Sequence, residues 1–382
     1  MSRKLALRTS TFVVATGVAA ATALVAAPVD AARSPGAAPQ RTTAARVLAS
    51  GLNNPRHLVF RGGTLYVAEA GKGGTKNCVP GPEDPTAFVC YGATGSIMRL
   101  GKHPRRIITG LPSIGDKGTG ASALGPSGIT TVGGKLAFTV GGGGTPAHRA
   151  TLPASARRIG TLVVASHRGK SWTRHTLRQV ADLMRFEARN DPDGQGADSD
   201  PTGLIRRGSH FLTTDSGGND LLRAGGGDPI RVLAKFGNRM VDNPFAPGQV
   251  PMQSVPTAVA VGPGGALFVS ELTGFPFPQG AARIFRVVPG HAPTVWATGL
   301  TNVTDLTWYR GSLYAVQLAN TGLLAPGLPV GSLVKVHRGS THTRIGSNLH
   351  APYGVAMRNG TAFVTTCSVC AGGGKVVRMQ LP

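Results

Sequence analysis

The stretch Val255–Phe275, reading VPTAVAVGPGGALFVSELTGF, holds two short β-prone runs around a tight Pro263-Gly264-Gly265 turn. Val259 and Val261 alternate with small residues, and Leu267, Phe268 and Val269 begin the second run. This hairpin pattern recurs along the chain. Its second strand reads LYV at Leu65, LAF at Leu136, FLT at Phe211, LFV at Leu267, LYA at Leu313 and AFV at Ala362. Each follows a glycine-bearing turn and a first strand: HLVF at His57, GITTV at Gly128, GLI at Gly203, AVAV at Ala258, DLTW at Asp305 and GVAM at Gly354. A third strand often comes next, as in SIMRL at Ser96, RIFRVV at Arg283, SLVKV at Ser332 and KVVRM at Lys375. Copies spaced by roughly 45 to 75 residues fit the blades of a β-propeller better than an open sheet or a sandwich.

The two ends carry complementary signals. After Lys375 the last copy has room for a third strand and no fourth, whereas Val47-Leu48-Ala49-Ser50-Gly51-Leu52 matches the fourth strand Val295-Trp296-Ala297-Thr298-Gly299-Leu300. Pairing the N-terminal strand with the last blade removes an unpaired seam. The expected fold is therefore all-β, a six-bladed β-propeller over residues 46–382. Ahead of it, Arg3, Lys4 and Arg8 precede an uncharged apolar run, Thr11 to Ala27, with small residues at Val29-Asp30-Ala31. Residues 1–31 read as a secretory signal and 32–45 as a flexible leader. No other segment is apolar and long enough to span a bilayer.

Export makes disulfides the expected state of Cys78, Cys90, Cys367 and Cys370. The simplest pairing closes each loop on itself, Cys78 with Cys90 and Cys367 with Cys370. Crossed pairing between neighbouring first and last blades is the alternative, and Cys-x2-Cys with a pair twelve apart makes a poor zinc finger. Charge is lopsided, with 40 Lys and Arg against 17 acids, a net +23. Removing Arg3, Lys4, Arg8 and Asp30 lowers it by only two. Such a field draws anionic polymers. The basic residues are spread through every blade, as at Arg105-Arg106, Arg157-Arg158 and Arg206-Arg207, without the tract or aromatic ladder of a nucleic-acid reader.

In a propeller, the loops entering first strands and those joining second to third strands meet at one mouth. Long insertions fall there: Ala70 to Gly95, Gly141 to Gly160, Asp182 to Asp200, Gly237 to Ser254, Leu272 to Ala281 and Ala319 to Gly331. Acids fall there too. Glu69, Asp215 and Glu271 end second strands, Asp198 and Asp200 precede the first strand of blade three, and Asp305 begins that of blade five. These six are the candidate ligand-binding residues. Asp200, Asp215 and Glu271 are the candidate metal set for Ca2+ or another divalent cation, with turn capping and local ion pairs as the plainer alternative. Counting Asp191 as position one of a calcium loop places Asp193, Gln195 and Gly196 at three, five and six, but Thr202 stands where the bidentate Glu belongs. That segment reads as an Asx-turn loop preceded by one helix, DLMRFEARN. Gly141 to Gly144 is followed by no Lys-Thr or Lys-Ser and no evident helix, so a phosphate cradle is not expected. Nucleophile-elbow, zincin and Walker motifs are absent. His57, His148 and His350 read as turn or core partners.

CSVCAGGGKVVR at Cys367, LTGFPFPQGAARIFRV at Leu272, MQSVPTAVAVGP at Met252, NNPRHLVF and LYVAEAG in the first blade and YGATGS before its third strand together resemble the ScyD/ScyE family of exported proteins, from about Val47 onward. More distantly, the repeats are similar to NHL and gluconolactonase-like propellers. The resemblance implies a secreted six-bladed propeller. Founding cyanobacterial members are associated with making the indolic sunscreen scytonemin, without an assigned catalytic role or site residues. The chain departs from the family in its charge and in Asp198-Ser-Asp-Pro, where relatives tend to have Asp-Ser-Asn-Pro. The expected function is a secreted or envelope-associated, monomeric, non-catalytic binding or scaffold protein using the mouth for a small ligand, glycan or anionic envelope polymer. The alternative is a metal-dependent hydrolase or lactonase.

Overall fold

A computed structural model describes residues 44–80, 86–168 and 171–382. The expected signal sequence and most of the expected leader lie outside the described residues. The chain is all-β, with six principal antiparallel sheets in chain order. The first runs through Pro55–Arg61, Thr64–Glu69 and Phe88–Arg99, with Lys76–Pro80 and Arg105–Asp116 both paired to Phe88–Arg99. Pro126–Val132, Lys135–Val140, Thr161–Arg168 and Ser171–Asp182 make the second. Pro201–Arg207, His210–Asp215, Asp220–Ala224 and Arg231–Lys235 make the third. The fourth holds Pro256–Val261, Leu267–Glu271, Ala282–Val287 and Thr294–Leu300, and the fifth Val303–Tyr309, Ser312–Gln317, Val330–Val336 and Thr343–His350. Val355–Arg358, Thr361–Thr366 and Gly374–Gln380 begin the sixth, whose fourth strand is Arg46–Leu52 from the other end of the chain. There Val47 faces Val377 and Leu52 faces Gly374. Each sheet's first strand touches that of the next, and the sixth touches the first.

A repeated tetrapeptide explains how the first strands come so close. They open with Pro126-Ser-Gly-Ile, Pro201-Thr-Gly-Leu, Pro256-Thr-Ala-Val and Val303-Thr-Asp-Leu, and pairing with the second strand skips a register there. A second-strand hydroxyl accepts the amide that the skip leaves unpaired at Gly128 and Gly203, and the amide of Gly354 just ahead of its strand: Gly128 N–H to Thr139 Oγ1, Gly203 N–H to Thr214 Oγ1 and Gly354 N–H to Thr365 Oγ1, at 2.7–2.9 Å. Hydroxyls, those of Thr139 and Thr365 among them, also cross to the neighbouring sheet. Thr139 donates to Thr202 O, Ser216 to Pro256 O, Thr257 to Val303 O, Thr304 to Tyr353 O and Thr365 to Arg56 O, at 2.6–3.2 Å. Between first and second sheets Arg56 Nη2 takes over, donating to Ala123 O at 2.6 Å. Glycine is required in this repeat for room. A Cβ at Gly203 would lie 2.7 Å from Thr257 O, and one at Gly354 2.6 Å from Arg56 O.

Apolar side chains fill the wedges between sheets. Leu52 and Val376 of the sixth sheet pack with Leu58, Leu65, Val67 and Met98 of the first, and Tyr314, Val316 and Leu333 of the fifth with Val355, Val364 and Val377 of the sixth. Beyond strand Lys76–Pro80 in the Ala70–Gly95 insertion, two more insertions carry structure where the sequence predicts loop. Residues Arg239–Asp242 pair with Gln249–Met252 in a hairpin. A short helix, Pro146–Thr151, capped by Thr145, does follow the Gly141–Gly144 loop, because Pro at its first turn needs no amide partner. Helix Leu183–Asn190 forms as expected, capped by Asp182. The disulfides join Cys78 to Cys90 and Cys367 to Cys370, each within its own loop; crossed pairing is not adopted. Among the described residues no helix is long and apolar enough to cross a membrane.

Leu52 is fully buried whereas Val47, in the same strand, is 60% exposed. Leu52→Ala is expected to cost about 3 kcal/mol in denaturant-monitored stability, and Val47→Ala less than about 0.5 kcal/mol.

Candidate functional site at the axis and the mouth

At its second and third positions the Pro-Ser/Thr-Gly/Ala repeat is interrupted by four large polar or aromatic residues, and these meet. Arg56 and Tyr353 stand where other first strands carry Ser or Thr, and His57 and Asp305 where they carry Gly or Ala. Arg56 stacks over the Tyr353 ring at 4.5 Å. His57 meets the edge of the same ring, with centroids 5.2 Å apart, and its Nε2 lies 3.8 Å from Asp305 Oδ1. That distance is too long for a hydrogen bond, and both His57 ring nitrogens lack one. The Asp305 carboxylate instead accepts from Leu306 N–H and Val355 N–H, at 2.8 and 2.7 Å, which ties the fifth sheet to the sixth. All four residues are buried.

Burial sets their protonation. Desolvation lowers the His57 imidazole to about 4, with the Arg56 charge acting in the same direction, and raises the Asp305 carboxyl to about 8 against its two amide donors. At neutral pH the pair is a neutral imidazole beside a protonated acid. Such a pair has the chemistry of a general base and acid, but the loops above it are joined. Asn54 N–H donates to Cys370 O, Ser122 N–H to Val369 O, and the Asn54 amide bridges Gly71 O and Gly120 O. Val255, Leu272, Phe277, Leu323, Ala351 and Val369 form an apolar cluster across the loops that enter the fourth and sixth sheets and those that join second to third strands in the fourth, fifth and sixth.

The mouth carboxylates act as hydrogen-bond acceptors within and between sheets. Glu69 accepts from Asn53 N–H, Ser96 Oγ and both Arg106 Nε and Nη2. Glu271 accepts from Ser254 Oγ, Arg239, and the Arg283 amide and guanidinium. Gln317 serves the fifth sheet in the same way, accepting from Thr301 N–H at 2.7 Å. In the third sheet Asp215 accepts from Ser199 Oγ at 2.6 Å and Asp200 N–H at 2.7 Å. The Gly141–Gly144 loop cradles carboxylates in place of phosphate: Gly142 N–H donates to Asp200 and Gly144 N–H to Asp198, at 2.9 and 2.6 Å. A Cβ at Gly141 would run into the Asp200 carboxylate. The structure thus brings Asp198, Asp200 and Asp215 together, while Glu69, Glu271 and Asp305 each serve a different sheet. Desolvation raises Asp198 to about 7 and Asp215 to about 6, and neighbouring acids add to both shifts. His148 lies in the short helix and His350 is exposed at the end of its strand.

Charge is segregated along the axis. Seven carboxylates, Glu69, Glu187, Asp200, Asp215, Asp220, Glu271 and Asp305, are buried, against Arg56 alone among the described lysines and arginines. All the described acids but Asp228 lie toward the mouth. At the opposite end, the hairpins joining first to second strands carry Arg61, Lys135, Arg206, Arg207, Arg310 and Arg358. Arg61 lies over Gly134 of the second sheet's hairpin, Arg207 over Gly265 of the fourth's, and Arg358 over Gly63 of the first's. None of these six forms an ion pair among the described residues.

No protein-family model and no curated protein matches the chain. Solved structures similar to it include a protein described as an oxidoreductase, glucose dehydrogenase, from Thermus thermophilus, at 17% identity and TM-score 0.52, covering 88% of this chain and 99% of that one. The PQQ-bound aldose sugar dehydrogenase of Streptomyces coelicolor is similar at 13% identity and TM-score 0.50, covering 90% and 100%. At these identities the likeness shows a β-propeller-type fold and nothing of chemistry.

The sign of the His57 effect is fixed by its lowered value. Between pH 6.5 and 4 the unfolded chain takes up a proton that the folded chain refuses, so stability is lost as the pH falls. Relative to His57→Gln, the parent protein should lose on the order of 3 kcal/mol across that window, read by chemical denaturation of both proteins at each pH.

Proposed function

We propose that the chain is a secreted member of the ScyD/ScyE family, a closed propeller of six blades over residues 46–382, and that it is a non-catalytic binding protein for an anionic envelope polymer. The reading of an exported chain is supported by the apolar run behind Arg3, Lys4 and Arg8, and two loop-closing disulfides are compatible with it. The polymer is held on the end face opposite the mouth. The observation that carries this is the unpaired basic set Arg61, Lys135, Arg206, Arg207, Arg310 and Arg358 around that end. Guanidinium groups without carboxylate partners are open to phosphate or carboxylate oxygens, which they bind in bidentate fashion. With most acids buried or gathered at the mouth, no fixed negative charge other than Asp228 offsets the field there. Binding through the hairpin face leaves the joined mouth loops undisturbed.

The test is retention of the mature protein on immobilised polyphosphate as salt is raised. Affinity should fall linearly on a log–log scale, and the triple variant Arg207→Glu, Arg310→Glu, Arg358→Glu should reduce the slope by about 2, taking roughly 0.7 for each lost phosphate contact. Lys72→Glu with Lys117→Glu, at the mouth, should leave it unchanged. Salt-insensitive retention, or equal loss in both variants, would sink the reading. EDTA-sensitive turnover in esterase and lactonase screens would replace it with the hydrolase.

A further inference from the structure

Glu187 and Asp220 are the least expected residues in the molecule. Both are fully buried, and all four of their carboxylate oxygens lack a hydrogen-bond partner. Ordinarily a buried carboxylate is paired or hydrogen-bonded, and this chain has 40 basic side chains from which to draw a partner. No ion pair reaches either. The nearest candidate, Lys235, sits opposite Asp220 in the sheet and sends its ammonium to Pro192 O at 2.8 Å.

The chain around them converges on one point. Glu187 lies on helix Leu183–Asn190, which ends at Asp191 in a left-handed conformation. Asp193 follows in the next turn. One oxygen each from Glu187, Asp191 and Asp193 lie within 4.8 Å of one another. Asp220 approaches from the third sheet, directly opposite Asp215, where it feels the charges of Glu187 and Asp193. The connecting turn is pressed against the helix: a Cβ on Gly218 would lie 2.7 Å from Glu187 Oε2. Asp191 and Asp193 are pre-oriented, accepting from Gly196 N–H at 3.1 Å, Gln195 N–H at 3.0 Å and the Asn219 amide at 2.9 Å. Those contacts leave free lone pairs on both carboxylates.

We propose that Glu187, Asp191, Asp193 and Asp220 form a calcium-type divalent cation site that fastens helix Leu183–Asn190 to the turn between Asp215 and Asp220. Four carboxylates and no nitrogen or sulfur donor select a hard cation over zinc or copper. Ligands drawn from a helix, an irregular loop and a strand suit calcium, which accepts varied geometry, better than magnesium, which demands a near-ideal octahedron. The calcium-loop spacing at Asp191 and Asp193 is thus completed by a Glu four residues upstream, where the helical-hand motif has one eleven downstream.

The test uses the mature protein stripped with EDTA and titrated with CaCl2. One equivalent of calcium should be retained after dialysis, and the melting temperature should climb with CaCl2 and saturate. The double variant Glu187→Gln, Asp220→Asn should retain less than a tenth of an equivalent and melt at one temperature with or without calcium. Asp193→Asn should weaken binding at least tenfold, which also tests the site if the double variant fails to fold. Asp228→Asn should behave as the parent. Absence of a retained equivalent together with no thermal shift would overturn the proposal, as would a calcium shift that survives in the double variant, or retention of magnesium or manganese but not calcium.

Discussion

Successive sheets are joined at the axis by side-chain hydroxyls donating to main-chain carbonyls: Thr139 to Thr202, Ser216 to Pro256, Thr257 to Val303, Thr304 to Tyr353 and Thr365 to Arg56. Each such bond contributes only about 1 kcal/mol on balance. Its importance is geometric, because it fixes how closely neighbouring first strands approach. That approach leaves no room for a side chain at Gly128, Gly203 or Gly354, and it leaves main-chain amides that only a hydroxyl on the adjacent strand reaches. Proline, hydroxyl and glycine therefore recur together as one device. Where the device changes to Arg56, His57, Asp305 and Tyr353, the larger side chains must share the axis, and they fill it with a polar core.

The distribution of charge follows from the same architecture. Loops at the mouth are long and present many amides without strand partners, so buried carboxylates such as Glu69, Asp200 and Asp215 are placed there as acceptors. Turns at the other end are short hairpins whose amides need no such help, and arginines stand there over the glycines of neighbouring turns. A strongly basic chain becomes more one-sided once folded, since its acids go inside and its bases stay out. Attraction for polyanions is then a property of one end of the molecule.

The acid-rich insertion before the third sheet shows where a linear reading stops. Asp191, Asp193, Asp198 and Asp200 stand out in the sequence, and so do their short loop spacings. Glu187 looks like an ordinary helical residue, and Asp220 like a turn residue ahead of a strand. Nothing in their spacing from Asp193 marks them, because the contact depends on how a helix lies against a turn. Arg56, His57, Asp305 and Tyr353 are a middle case: as departures from a repeat they are visible in the sequence, but the repeat has to be aligned at its hydroxyl and glycine positions before they appear.

By itself the sequence determined the strands of the repeat, their hairpin turns and the kinship of the two chain ends, because alternation of apolar residues and turn chemistry are local and repeat with the fold. It also determined that the chain is basic, and it made the near pairing of the cysteines the simplest one, which the fold then adopted. Only the tertiary structure decided which carboxylates are neutralised by arginine or amide donors and which are buried without a partner. That distinction depends on desolvation and on neighbours brought in from other sheets, and neither is a property of any stretch of chain read alone.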